Sequence, residues 1–347
     1  MILILSGAGD IHADEVTEAL TARGVQVVRF DPADFPSAAS MWLQFEHDGT
    51  LDGELRLPTR SVGISPEPEL TVVRLADIEA VWLRRPGKPL AHQKLSGTTA
   101  GDFVAHEAAA TLADLWELLG VPFVPATPDQ VAHAGHKARQ LRIAGRLGFE
   151  LPASLITNDP DQFLRFHRRE QSVITKRIGT GQRLAAGDGE TIVRYADPVR
   201  PRDLVAIADI ELCPFITQSE VAKNVELRVT VVGERVFAAA IHSQEAHHTR
   251  SDWRRYDSAH TPMQPIDLPE IVSGRCRDLV RELDLLYGAI DLVLTPDGRY
   301  VFLEINPNGQ YLWIEHDTGL PITEAIADLL ASMSKDGKVG NNLERVG

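Results

Sequence analysis

The chain has 347 residues, two cysteines and a formal net charge of −14 at pH 7. Its length predicts two or three domains, and its acidic balance argues against nucleic acid as a partner, because phosphate binding needs a basic surface. Two cysteines make no disulfide framework, and the sequence shows neither a signal peptide nor an apolar run of membrane-spanning length. These features predict a soluble, cytoplasmic protein that does not bind a membrane.

The N-terminal part predicts an α/β domain over residues 1–120. Its short apolar runs are typical of buried strands, and its longer segments repeat apolar residues with a helical period. In chain order we expect a strand at Ile2–Leu5, a helix at Ala13–Arg23, a strand at Val25–Phe30, a hairpin of Met41–Phe45 with Leu51–Leu57, a strand at Val81–Leu83 and a helix at Gly101–Leu119.

The first loop of this domain leaves one alternative open. Gly7 and Gly9 supply half of a dinucleotide-binding fingerprint, but His12 stands at the third glycine position. Asp31 lies at a distance that suits a ribose contact. We favour a role for the glycines in the turn itself, with a nucleotide loop as the alternative.

The rest of the chain predicts two further subdomains and a tail. Val121–Val131 contains three prolines and is expected to be a connector with little regular structure. The expected divisions are a central subdomain at 121–212, a C-terminal subdomain at 213–333 and a flexible tail at 334–347. Elements follow at His136–Leu147 (helix), Leu155–Ile156 (strand), Asp161–Arg169 (helix), Ser172–Lys176 and Thr191–Tyr195 (strands), Arg202–Ile210 (helix), Phe215–Glu220 (strand), Glu226–Val232 with Arg235–Ile241 (hairpin), Pro269–Leu285 (helix) and Ile322–Met333 (helix).

A hairpin near the C-terminal end carries the strongest functional signal. Two apolar strands flank a Pro-Asp-Gly turn at residues 296–298. Glu304 and Asn306 share one face of the second strand, and the hairpin brings Asp291 of the first strand beside them. Carboxylates inside apolar strands are costly unless they are paired or bind a metal. The oxygen-only set predicts a Mg²⁺ site, and the alternative is a solvated polar face.

Two lysines and a glycine loop are candidates for binding phosphate. Lys176 ends a strand and is followed by Gly179 and Gly181, which free backbone N–H groups to point at phosphate oxygens. The spacing is not that of a Walker loop, so an ordinary hairpin turn is an equal alternative. Lys137 is a candidate phosphate ligand only if a triphosphate lies between it and Lys176.

A second cluster is less suited to metal. His242, Gln244, His247 and His248 match no zinc spacing, and we expect them to lie in a mobile loop. Arg254 follows this stretch and could bind a substrate carboxylate or an acyl phosphate.

Taken together, the order of these motifs resembles the ATP-grasp superfamily. The stretch from Val81-Trp82-Leu83-Arg84-Arg85-Pro86 to Asn306-Pro307-Asn308-Gly309-Gln310-Tyr311 resembles the peptide maturases of the microviridin (graspetide) group over residues 1–333. A more distant likeness is to the RimK-type ligases. His136 before Lys137, and His242 where the RimK-type ligases carry lysine, depart from these patterns.

The resemblance implies an α/β (α+β) ATP-grasp fold, with an N-terminal pre-ATP-grasp domain and ATP held between two antiparallel sheets. It also implies residue roles. Nucleotide contacts would come from Lys137, Lys176, Gly179, Gly181, Gln218, Ser219, Glu220, Val221 and Glu226; two Mg²⁺ ions would bind Asp291, Glu304 and Asn306; Arg228 and Arg254 would stabilise the transferred phosphoryl group; and leader or substrate contacts would come from Arg183, Arg200, Arg202, Asn308 and Tyr311.

The implied reaction joins side chains of a ribosomally made precursor peptide. An Asp or Glu carboxylate would be phosphorylated by ATP, and a Ser/Thr hydroxyl or Lys amine would then attack to give an ester or amide ring. The resemblance also implies a leader helix bound near Arg183–Ile210 and a homodimer. The alternatives are another ATP-grasp carboxylate–amine ligase and, from the Gly7/Gly9 loop, a Rossmann-type oxidoreductase.

Overall fold

The computed structural model describes residues 1–59, 70–179, 196–243 and 262–334, together with the backbone of 184–185 and 191–192. None of the helices in these ranges is both long enough and apolar enough to span a membrane. The chain divides into two compact units: residues 1–131 with 321–347, and residues 132–320.

The strands are β1 (Ile2–Ser6), β2 (Val27–Phe30), β3 (Ser40–Phe45), β4 (Leu51–Pro58), β5 (Leu70–Arg74), β6 (Ala80–Arg85), β7 (Phe123–Val124), β8 (Ser154–Thr157), β9 (Val173–Lys176), β10 (Leu184–Ala185), β11 (Thr191–Ile192), β12 (Asp197–Pro198), β13 (Phe215–Ser219), β14 (Val225–Val232), β15 (Arg235–Ile241), β16 (Met263–Pro265), β17 (Tyr287–Leu294) and β18 (Tyr300–Asn306).

The α-helices are α1 (Ile11–Ala22), α2 (Thr99–Leu118), α3 (Pro128–Ala134), α4 (Lys137–Arg146), α5 (Pro160–Glu170), α6 (Glu270–Glu282), α7 (Leu312–Thr318) and α8 (Ile322–Ser332). Short 3₁₀ helices lie at Pro32–Asp34, Leu75–Asp77 and Gln93–Leu95, and a longer one at Pro201–Leu212.

The first unit is built on a parallel sheet in the order β2-β1-β6-β7, with a separate antiparallel sheet β3-β4-β5. All five residues of β1 are buried, which is typical of a central parallel strand. Helix α8 comes from the far end of the chain and packs against α1. Arg23 fastens the two helices through ion pairs with Glu324 and Asp328.

The second unit contains the two antiparallel sheets that hold the candidate site. One has the order β12-β9-β13-β8 and the other the order β16-β15-β14-β17-β18. The β17–β18 turn places Gly298 at φ +84°, where glycine is favoured. The mixed α/β fold class predicted from the sequence is confirmed.

Three expectations about elements need correction. The connector at 121–131 contains β7 and the start of α3, because pairing with β6 orders Phe123–Val124 between two prolines. The helix expected at Arg202–Ile210 is a 3₁₀ helix with a kink at Ala206. Helix α7 was not predicted from the sequence. It ends at Gly319, whose left-handed conformation at φ +70° is common for a glycine that ends a helix.

Two expectations fall outside the described residues. They are the continuation of the strand Thr191–Tyr195 beyond residue 192 and the tail beyond residue 334.

Candidate active site

The centre of the site is a row of directly paired residues across three neighbouring strands. Arg228 in β14 pairs with Asp291 in β17, and Asp291 pairs with Glu304 in β18. Arg228 Nη1 donates to Asp291 Oδ1 at 2.9 Å, and both side chains are buried. A cation and two carboxylates therefore follow one another across the sheet.

A β-bulge in β18 lies directly beside this row of paired residues. The pairing of β17 with β18 shifts between Asp291 and Leu292, so that Leu303 is an extra residue in β18. Bulges re-aim side chains and are frequent beside active sites. Here the extra residue lines the cavities that lie between the two sheets.

Lys137, the first residue of α4, forms an ion pair with Glu304. Lys137 and Glu304 line a small cavity together with Lys176, at the end of β9. The two lysines predicted to bind phosphate thus line the same cavity, one at the start of a helix and the other at the end of a strand. Their role as phosphate ligands remains a prediction.

The predicted metal residues have the right donors for Mg²⁺. Asp291 and Glu304 face each other in an antiparallel pair, where like charges repel, and Asn306 lies two residues further along the same strand face. Two carboxylates and an amide are hard oxygen donors of the kind that Mg²⁺ binds. In the described ranges, this site included, no three Asp, Glu, His or Cys side chains come together as a metal site, so the third donor here would be the amide of Asn306.

The loop after β18 is held tightly against this row. Asn306 Oδ1 accepts a hydrogen bond from Asn308 N at 3.0 Å, and Arg228 Nη2 donates to the Gln310 carbonyl at 3.1 Å. Tyr311 is 1% exposed and packs edge-on against Tyr287. This placement gives Tyr311 a packing role and does not support its assignment to substrate binding.

A second cavity of about 40 Å³ lies beside the first, between β9 and β13 on one side and β17 and β18 on the other. Its walls include Ile174, Val293 and Leu303, apolar surfaces suited to a flat base. The predicted nucleotide residues Gln218, Ser219, Glu220, Val221 and Glu226 also line it.

Glu226 is the polar anchor of this second cavity. Its Oε1 accepts hydrogen bonds from Ser243 Oγ at 2.7 Å and from Lys223 Nζ at 3.1 Å. The sequence analysis gave no role to Lys223 or Ser243, although Ser243 follows His242 in the stretch that resembles the RimK-type ligases. The sequence signal for Lys223 is its position three residues before Glu226, which lies near the start of β14.

Gln218 and Glu220, two of the predicted nucleotide residues, have side chains that hydrogen-bond to serines beside them. Gln218 Nε2 donates to Ser154 Oγ at 2.9 Å, and Glu220 Oε2 accepts from Ser172 Oγ at 2.6 Å. Both side chains thus bind neighbouring strands of their own sheet. The backbone N–H groups of Ser219 and Glu220 donate to the carbonyls of Ala153 and Ser172. The assignment of residues 218–221 to nucleotide binding therefore remains a prediction.

A third cavity, of about 550 Å³, lies apart from this cleft, between α5, β12 and the 3₁₀ helix Pro201–Leu212. Arg200 and Arg202 line it, as do Phe163 and Phe215. The adjoining strands β10 and β11 pair as an antiparallel hairpin. This is the region predicted to bind a leader.

Several predicted residues cannot be placed. Gly181, Arg183 and Arg254 lie outside the described residues, as do Gln244, His247 and His248. Gly179 is described and has no atom within 4 Å of the position its Cβ would take.

The N-terminal loop does not support the oxidoreductase alternative. Asp31 Oδ1 accepts hydrogen bonds from Ala33 N at 3.1 Å and from Gly87 N at 2.9 Å, so the carboxylate caps a turn instead of facing a ribose. Arg29 donates to the carbonyl of Gly7. The loop is thus held from within its own unit.

Residues 1–127 match the family described as MvdD pre-ATP grasp domain. No curated protein matches the chain.

Among solved structures, macrocyclase MdnC of Microcystis aeruginosa MRC, bound with precursor peptide MdnA, is 28% identical, with 96% of this chain and 99% of that chain covered and a TM-score of 0.81. A RiPP-associated ATP-grasp ligase of Chryseobacterium gregarium, in complex with ADP and a leader and core peptide, is 29% identical, with 96% and 97% covered and a TM-score of 0.83. Macrocyclase MdnB of Microcystis aeruginosa MRC is 28% identical, with 95% and 98% covered and a TM-score of 0.74.

The resemblance seen in the motifs is thus matched by the domain match at the N-terminus and by likeness over almost the whole length of three solved ligases. We conclude that residues 1–127 match a pre-ATP grasp domain and that the whole chain has the fold of the ATP-grasp ligases, with solved RiPP macrocyclases among its similar structures.

Proposed function

We propose that this protein is an ADP-forming macrocyclase that joins side chains of a ribosomally made precursor peptide. The observation that carries the proposal is the paired row Arg228–Asp291–Glu304, with Lys137 on Glu304, at the mouth of a cleft between two antiparallel sheets. The likeness to ligases solved with a precursor or with leader and core peptides supports the peptide substrate.

The first step transfers the terminal phosphoryl group of ATP to an Asp or Glu carboxylate of the peptide, which gives an acyl phosphate and ADP. In the second step a Ser/Thr hydroxyl or Lys amine attacks the carbonyl carbon, loses its proton and expels phosphate. The product is an ester or an amide ring. A carboxylate is a poor electrophile, so phosphorylation supplies the leaving group that the ring closure needs.

The chain's own residues position groups and neutralise charge, which is the main task in phosphoryl transfer. Lys137 and Lys176 neutralise phosphate oxygens, and Glu226 orients the ribose. Arg228 and Arg254 stabilise the charge on the transferred group. Asp291, Glu304 and Asn306 would hold two Mg²⁺ ions, which when bound neutralise the β and γ oxygens of the nucleotide.

The products test this mechanism. With protein, peptide and ATP, we expect ADP in proportion to rings formed, and hydroxylamine should trap a hydroxamate at an Asp or Glu of the peptide. AMP and pyrophosphate in proportion to rings would contradict an acyl phosphate. ADP formed with a free amino acid in place of the peptide would indicate a different carboxylate–amine ligase.

We further propose that the leader binds in the cavity lined by Phe163, Phe215, Arg200 and Arg202. Its apolar walls and charged rim suit an amphipathic helix. Reversing the charges at Arg200 and Arg202 should weaken leader binding at least about tenfold by calorimetry, whereas Arg142→Glu, an exposed change on α4, should not. Undiminished binding by the double variant would count against this site.

Two further expectations belong to this proposal. The first is a homodimer, as the resemblance in the motifs implies, which analytical ultracentrifugation at several protein concentrations would detect. The second is a cytoplasmic location, where ATP and a newly made peptide would both be at hand.

A further inference from the structure

We propose that Gln140 is a positioning residue, which holds Glu304 and Asn306 in place relative to Lys137. The inference rests on the proposed function of this site. Gln140 lies in α4, is 2% exposed, and is absent from the motifs that the sequence analysis singled out. Its side-chain amide makes three hydrogen bonds, two of them to a single residue of β18.

The residue that Gln140 binds is Ile305, which lies between Glu304 and Asn306. Gln140 Nε2 donates to the Ile305 carbonyl at 2.8 Å, and Gln140 Oε1 accepts from Ile305 N at 3.2 Å. The amide thus pairs with Ile305 much as a further strand would. A third bond, from Nε2 to the Ala134 carbonyl at 2.8 Å, orients the side chain from its own side.

Strand β18 is the outermost strand of its sheet, so its ladder of hydrogen bonds lies on the β17 side. On its other edge, Val301 forms an isolated bridge with Glu150, and Phe302 N donates to the Glu150 carbonyl at 2.9 Å. The N–H and C=O groups on the other edge of such a strand need partners or water. At Ile305 the partner is Gln140. The N–H and C=O of Ile305 belong to the two peptide groups that join it to Glu304 and Asn306, so fixing both groups fixes the backbone that carries both oxygen donors.

The same helix carries the phosphate-facing cation. Lys137 lies three residues before Gln140, on the same helix face, and forms its ion pair with Glu304. Helix α4 therefore contacts β18 at two neighbouring points, one through the charged side chain of Lys137 and one through the buried amide of Gln140. Only the amide bonds directly to the β18 backbone, so it sets the distance between Lys137 and the oxygen donors.

Gln140→Met tests the proposal, because it keeps the length and apolar bulk of the side chain and removes all three hydrogen bonds. Ile143→Val is the matched control, since Ile143 is buried one turn further along α4 and its side chain has no hydrogen bond to lose. In the unaltered protein, the amide proton of Ile305 should exchange slowly despite its place on an edge strand. In Gln140→Met it should exchange at least about tenfold faster, and in Ile143→Val little faster.

The Mg²⁺ requirement and the turnover should also change in Gln140→Met and stay the same in Ile143→Val. The Mg²⁺ concentration needed for half-maximal ADP binding, measured by calorimetry without peptide, should rise at least about tenfold in Gln140→Met and not in the control. Turnover should fall by about 10–100-fold, because misplacement of reacting groups by about 1 Å can cost about 100-fold. The amide exchange of Ile305 and the Mg²⁺ dependence of ADP binding are both measured without peptide turnover. They therefore stay informative if the macrocyclase proposal fails.

Two outcomes would overturn the inference. One is rapid exchange of the Ile305 amide in the unaltered protein, which needs no variant to fold. The other is a Mg²⁺ requirement in folded Gln140→Met that equals that of Ile143→Val.

Discussion

At the scale of single residues, the site depends on a few charges with fixed partners. Arg228 is held by Asp291 and by the Gln310 carbonyl, and Glu304 is held by Lys137. Buried charges are tolerated only when they are paired in this way. The proposed metal ions would bind the same two carboxylates.

Glu304→Gln tests that role. The amide keeps the shape of the side chain but loses the negative charge, so the fold should persist while Mg²⁺-dependent turnover falls by at least about 100-fold, since even the partners of metal ligands are worth about 10–100-fold. A steady-state assay of ADP release with peptide measures this. Asp317→Asn, the same change at an exposed position of α7, is the control and should leave turnover unchanged. Unaltered ADP release by Glu304→Gln would contradict the role.

His12 gives a prediction about pH. Burial lowers its pKa below the ordinary value of 6.5, although a hydrogen bond with Asp10 opposes this shift and the charge of Arg84 adds to it. The folded state therefore binds a proton less readily than the unfolded state. Stability should be full above about pH 6.5 and should fall as the pH drops through that value, by up to about 1.4 kcal/mol per pH unit.

Thermal unfolding between pH 7.5 and 5.5 checks this expectation. His12→Gln should flatten the dependence of the unfolding midpoint on pH, whereas His106→Gln, at an exposed position of α2, should not. An equal slope in the His12 variant would show that other groups carry the effect.

At the scale of elements, the loop from Asn306 to Tyr311 holds the paired row Arg228–Asp291–Glu304 in position. Tyr287 Oη donates to the Gly309 carbonyl at 2.7 Å, deep under the sheet. A Cβ on Gly309 would lie 2.4 Å from Ala289 Cβ and 2.6 Å from Arg228 Nη2. Glycine is thus required because the loop passes directly over the guanidinium group.

Gly309→Ala should displace Arg228 from Asp291. We expect a loss of about 1–3 kcal/mol in the free energy of unfolding, as overpacking commonly costs, and a fall in turnover of more than about tenfold at a temperature where the variant is folded. Gly274→Ala, within α6, meets only ordinary contacts and should be active. A folded Gly309→Ala variant with normal kcat would contradict this account.

The elements also show what the sequence could and could not predict. The β14–β15 and β17–β18 hairpins have apolar alternation and glycine turns, so they could be predicted almost to the residue. Strand β7 could not, because two residues between prolines become a strand only by pairing with β6. Gln140 could not either, since its partner is backbone that lies 165 positions away in the sequence.

At the scale of the whole molecule, the second unit is inserted in the first. The chain leaves the first unit after residue 131 and returns to it at residue 321. The domain order predicted from the sequence treated the three segments as consecutive, and its internal boundary at 212 remains a proposal. The α1–α8 pairing has no local signal, because both helices look like ordinary amphipathic segments.

This return of α8 to α1 has a consequence for synthesis on the ribosome. Arg23 and Asp328 are 305 positions apart, and at about 5–20 residues per second the interval between them takes about 15–60 seconds. During that time α1 has emerged while the inserted unit is still being made and its helical partner does not yet exist. The N-terminal unit, first to leave the ribosome, would then be the last to be completed, and its uncovered helix face is where a chaperone would be needed most.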